Sequence, residues 1–136
     1  MRPLLIDTNA YTAFKRGDAD IVEALAWADS LLVNSVVLGE LLAGFAAGAR
    51  EARNREELAS FLDSPRVQVL TITSRTADAY ALVYANLRRK GTPIPSNDLW
   101  IAASAMESGA AVLTLDAHFS QVDGLRCGRQ RADFLP

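Results

Sequence analysis

The sequence predicts a three-layer α/β/α sandwich built on a mostly parallel central sheet, formed by a single domain over residues 1–136. Short apolar runs alternate with longer helix-like stretches along the chain. The runs lack the strict in–out alternation of a sheet with one wet face, so both faces are expected to be covered. No repeat, linker or low-complexity segment interrupts the pattern.

The first run, Leu4-Leu5-Ile6, reads as a buried strand and ends abruptly in Asp7-Thr8-Asn9, after which a helix is expected from Thr8 to Arg16. Gly17-Asp18 break the chain before a second helix, in which Ile21, Leu25 and Ala28 share one face. "SLLVNS" is a short apolar strand, and Ser35 is a competent N-cap for the helix "VVLGELLAGFAAGA". "REARNREELASFLDSP" continues as a more polar helix that Pro65 stops. "VQVLTI" has the β-branched content of a strand. A long helix then runs from Thr76 to Lys90 and closes on Gly91. Ser96 is expected to cap "NDLWIAASAMES", which ends at Gly109, and "AAVLTL" is a last buried strand before an irregular tail with at most one short strand.

Composition narrows the function. No apolar run reaches the ~20 residues of a membrane span, because Glu40 and Glu107 cut the longest ones. The amino terminus reaches Asp7 too soon for the ~7–15-residue apolar core of a signal peptide, so a cytoplasmic location is expected. Cys127 is the one cysteine and His118 the one histidine, which excludes an internal disulfide and a cysteine- or histidine-rich zinc site.

Ligands in open α/β folds bind beyond the carboxyl ends of the strands, where helices begin. Four acids fall at such places. Asp7 and Asp116 each follow a buried strand, Asp98 lies in the first turn of a helix, and Glu40 lies early in another. Each alone has an ordinary explanation, an Asx-turn for Asp7 and Asp116 or a helix-dipole contact for Asp98. Glu40 is harder to dismiss. Its neighbours on the helix are Val36, Val37, Ala43 and Gly44, and no Lys or Arg lies within a turn, so a bound cation is its expected partner. Four converging acids without bases would repel one another, and a hard dication such as Mg²⁺ or Mn²⁺ relieves that repulsion. The formal charge of −2 hides this: without the four acids, 12 of the 16 acidic residues remain against 14 Lys and Arg, which leaves a surface compatible with nucleic acid.

The words "LLIDTN", "SVVLGELLAG", "PIPSNDLWIAASA" and "AVLTLDAHF", in this order and spacing, resemble the PIN-domain family and, within it, the VapC-type toxins of bacterial toxin–antitoxin pairs. The resemblance spans essentially the whole chain. It implies a PIN-like sandwich, endoribonuclease activity dependent on Mg²⁺ or Mn²⁺, inhibition by a VapB-type antitoxin, and a homodimer. It places Asp7, Glu40, Asp98 and Asp116 as catalytic, metal-holding acids, with Thr8, Asn9 and Thr114 supporting them by hydrogen bonds.

The chemistry implied is hydrolysis of RNA phosphodiesters by metal-activated water. With one histidine, a metal-free acid–base ribonuclease is not expected, and His118 reads as a loop residue near the pocket. Arg88, Arg89 and Lys90 either complement a helix end or contact RNA phosphates. "GAREARNREE" reads as a solvated, charge-balanced face. Trp27, Trp100, Tyr80 and Tyr84 read as packing residues. Two rival readings stay open: a haloacid-dehalogenase-like phosphatase, for which Asn9 stands where a second Asp belongs, and a non-catalytic metal-binding interaction domain.

Overall fold

The computed structural model describes residues 2–136. A five-stranded, wholly parallel sheet has the order β3-β2-β1-β4-β5, with β1 Pro3–Ile6, β2 Ser30–Asn34, β3 Val67–Leu70, β4 Ala111–Leu113 and β5 Cys127–Gly128. Six helices connect and cover it: α1 Thr8–Lys15, α2 Ala19–Trp27, α3 Ser35–Ala47, α4 Glu51–Leu62, α5 Ser74–Lys90 and α6 Ser96–Ser108. Leu4, Leu5, Ile6, Val112 and Leu113 are all within 1% of complete burial, so successive side chains on opposite faces of the central strands are equally covered. The three-layer architecture follows from that burial.

The order of the strands fixes where a ligand would sit. The chain adds β2 and β3 on one side of β1, then returns to place β4 and β5 on the other. This reversal opens a crevice beyond the carboxyl ends of β1 and β4. Ile6 and Leu113 are register partners, and Asp7 N–H donates to the Leu113 carbonyl at 3.0 Å, so Asp7 and Thr114 leave the sheet side by side.

Several expected boundaries move, each for a local reason. The cap of α3 is Asn34, not Ser35: fully buried Asn34 accepts from Val37 N–H at 2.9 Å, while its amide donates to Ser104 at 3.0 Å. Pro95, not Ser96, holds the cap position of α6, and Ser96 is the first helical residue. α5 starts at Ser74 rather than Thr76, because Thr76 Oγ1 accepts the Thr73 N–H at 3.1 Å and ties down the entry to the first turn. β3 ends at Leu70, short of Ile72, and as an edge strand it leaves Val69 at 40% exposure. The glycine stops hold: Gly91 and Gly109 take φ of 71° and 68°, the left-handed conformation that favours glycine. Of the aromatic residues assigned to packing, Tyr84 is 46% exposed and is a surface residue; Trp27, Tyr80 and Trp100 are half-buried.

Candidate metal centre

β1, α3, α6 and the 3-10 turn Ala117–Gln121 bring four acids to the crevice. Asp7 leaves β1 in extended conformation and caps α1, with Oδ1 accepting Thr8 N–H at 2.8 Å. Its other oxygen accepts the Thr114 hydroxyl at 2.7 Å. Asp116 caps the 3-10 turn by accepting His118 N–H at 2.9 Å, and its own N–H donates to Thr114 Oγ1 at 2.9 Å. Thr114 thus ties the two strand-end acids together through one hydroxyl. Asn9 holds the exit of β4, accepting Leu115 N–H at 3.0 Å.

Glu40 departs from expectation. Its partners are protein groups: Thr8 Oγ1 donates to Oε1 at 2.6 Å and Asn97 Nδ2 to Oε2 at 3.2 Å. A cation is therefore not required to satisfy the side chain itself. Ala43 and Gly44, assigned to an apolar face around it, are solvent-exposed. The threonine and asparagine that hold Glu40 come from α1 and α6, which local helix periodicity does not reveal.

His118 lies at the pocket as expected, in the 3-10 turn rather than a loop, and it touches the acids. Its Nδ1 lies 2.9 Å from Asp98 Oδ2 and 3.1 Å from Asp116 Oδ1. Asp98, Asp116 and His118 each offer a ligand atom within 4.8 Å of the others, a grouping that could hold a metal ion. The sequence signal for His118 is its spacing two residues after Asp116 at the start of a turn, which brings its ring back over the acids.

The electrostatics express the crowding. Burial pushes the Asp7 carboxyl up from 3.8 to about 6, with repulsion from Asp98 and Glu40 adding to it and the Thr114 and Thr8 hydrogen bonds opposing it. Burial likewise raises Asp98; the His118 bond opposes this and the Asp116 charge adds to it. The bond to Asp98 raises His118 above its ordinary 6.5. Among the described residues no lysine or arginine pairs with any of the four acids.

A profile of the PIN domain matches residues 4–125. The chain belongs to the PIN-domain family. Ribonuclease VapC4 of Mycobacterium tuberculosis is 33% identical to this PIN domain, the match covering 88% of this chain and 91% of the relative. VapBC-5 of Mycobacterium tuberculosis, a member of the VapBC family of toxin–antitoxin systems, contains a chain with TM-score 0.74 and 26% identity, covering 94% of this chain and 97% of that one. VapBC2 of Rickettsia felis, bound to a fragment of promoter DNA, gives TM-score 0.79 and 25% identity over 93% and 97% of the two chains.

The basic run of this PIN domain divides. Lys90 Nζ reaches the Gln121 carbonyl at 2.7 Å and Asp123 at 2.8 Å, pinning the end of α5 to the segment after Asp116. Arg88 donates to the Tyr84 hydroxyl at 3.2 Å and Arg89 is exposed. Cys127 lies on β5, outside the acid cluster.

Proposed function

We propose that this PIN domain is a Mg²⁺- or Mn²⁺-dependent endoribonuclease and the toxin of a toxin–antitoxin pair. One observation carries the reading most directly. Two buried or half-buried carboxylates, Asp7 and Asp98, are raised by burial and by neighbouring acids, with no lysine or arginine to offset them. Such a donor set fits a hard dication, since carboxylate oxygens suit Mg²⁺ and Mn²⁺ and the ion's charge removes the repulsion. Asp98 and Asp116 would hold it with Asp7, while Glu40 serves at the rim; His118 adds a nitrogen that Mn²⁺ accepts more readily than Mg²⁺ does.

When bound, such an ion supplies acidified water and neutralises charge on the phosphodiester. The chain's own residues prepare the place. Thr114 and Thr8 N–H hold both Asp7 oxygens, which fixes the direction of the carboxylate. Thr8 and Asn97 hold Glu40 from two helices, and Asn9 fixes the loop that carries Asp116. The supporting roles proposed for Thr8, Asn9 and Thr114 rest on these bonds. Arg88 and Arg89 remain available to phosphates, whereas Lys90 is committed to Asp123.

A solved relative described as a toxin–antitoxin system supports the toxin role and an antitoxin of the VapB type as partner, and a homodimer and residues 1–136 acting as one unit are further parts of the proposal. Among the described residues no helix is long and apolar enough to cross a membrane, and a cytoplasmic location is part of the proposal. The phosphatase reading loses its footing, because Asn9 accepts a backbone N–H instead of presenting a second acid. Cleavage of total RNA that requires Mg²⁺ or Mn²⁺ and is abolished by EDTA tests the proposal; no cleavage with either ion overturns it.

A further inference from the structure

Between α1, α3 and α4 lies a cavity of about 470 Å³, separate from the four acids, lined by Tyr11, Lys15, Arg16, Phe45, Arg50 and Glu57 among others. Tyr11 is 3% exposed, its ring packed edge-on against Phe61 at 5.3 Å, and its hydroxyl is buried with no hydrogen-bond partner. A buried hydroxyl without a partner is costly, and an acceptor entering the cavity would remove that cost. The charges favour an anion. Glu57 is matched by Lys15 at 3.3 Å and Arg53 at 3.3 Å, whereas Arg16 and Arg50 have no ion-pair partner among the described residues.

The position of the cavity indicates whose anion it takes. Thr8, Thr12 and Lys15 lie on one face of α1 at helical spacing. Thr8 touches Glu40, Thr12 Oγ1 donates to the Thr8 carbonyl at 3.2 Å, and Lys15 lines the cavity. From Thr8 to Lys15 the helix rises about 10 Å, a distance a stacked strand spans in about three nucleotides at ~3.4 Å each. The geometry points to a second phosphate subsite, in which Tyr11, Arg16 and Arg50 hold a backbone phosphate of the same RNA strand whose scissile bond lies over the acids. The inference rests on the ribonuclease reading and separates Arg50 from the charge-balanced face of the α4 segment to which the sequence assigns it.

The test uses the full chain and its Arg16→Gln, Arg50→Gln and Tyr11→Phe variants on a single-stranded oligoribonucleotide. Each arginine variant is expected to raise KM about tenfold with kcat within about twofold, and to flatten the dependence of log KM on log salt by about 0.7. Tyr11→Phe is expected to raise KM about threefold while leaving or raising the melting temperature. Inorganic phosphate, titrated against the wild-type protein, should shift the amide signals of Tyr11, Arg16 and Arg50, and Arg50→Gln should abolish the shift. If the wild type cleaves RNA but the double arginine variant keeps its KM, the subsite is wrong and the ribonuclease reading stands. If phosphate binds here while the wild type cleaves no RNA, the assignment to an RNA strand falls. No phosphate shift, or an acidic peptide that occupies the cavity while RNA does not displace it, also overturns the inference.

Discussion

Thr114 donates its hydroxyl to the buried carboxylate of Asp7 at 2.7 Å, across 107 residues of sequence. The same oxygen accepts the Asp116 N–H at 2.9 Å. One small side chain at the end of β4 therefore sets the direction of one acid and the backbone of another.

Replacing Thr114 by valine keeps the shape and removes both bonds. Because a buried carboxylate would lose a donor, about 1–3 kcal/mol of stability should go. Metal affinity should fall about 10- to 100-fold, as for other residues that orient ligands. Chemical denaturation and Mn²⁺ titration check the two effects; Thr114→Ser should restore most of both.

Asp98→Asn should abolish cleavage while leaving the fold intact. In EDTA its melting temperature should equal or exceed that of the wild type, because the substitution removes a carboxylate that burial and Asp116 already disfavour. Retained cleavage, or a large drop in melting temperature, would count against Asp98 as a metal-holding acid.

The metal-free protein should lose stability as the pH rises from about 3.8 towards and through 6. Asp7 binds its proton more tightly in the folded chain, at about 6, than in the unfolded one, at 3.8. Its contribution is therefore fully present below the unfolded value and is lost as pH rises through the folded one. The effect is at most about 3 kcal/mol. Mg²⁺ or Mn²⁺ should reverse the trend above pH 6, which thermal melts across pH with and without the ion would reveal.

His118 should titrate above its ordinary 6.5 in EDTA, because the bond to Asp98 favours the imidazolium. Added Mg²⁺ should lower that value by neutralising the two acids beneath the ring. The imidazole proton signals in NMR report it directly. An unchanged value would place the ion away from Asp98 and Asp116.

Much of this arrangement was legible in the sequence because it depends on short-range signals. Leu4-Leu5-Ile6 followed by Asp7, and Gly91 and Gly109 after their helices, announce a strand end and two helix ends without tertiary help. What remained hidden required partners distant in the chain. Asn34 displaces Ser35 as a cap because Ser104 holds its amide. Glu40 finds Thr8 and Asn97 on other helices. Tyr84, spaced like a core residue, is exposed because Val83 and Leu87 take the inner face of α5 instead.

The adjacency of β1 and β4 also bears on synthesis. Asp7 is made 107 residues before Thr114, the residue that orients it, and the strand that must lie beside it, Ala111–Leu113, comes correspondingly late. Until that strand leaves the exit tunnel, Asp7 lacks the Thr114 hydroxyl that directs it, and Asp116 is not yet in place beside it. An enzyme that attacks RNA would thus stay harmless to the machine assembling it until β4 and Asp116 have emerged and docked.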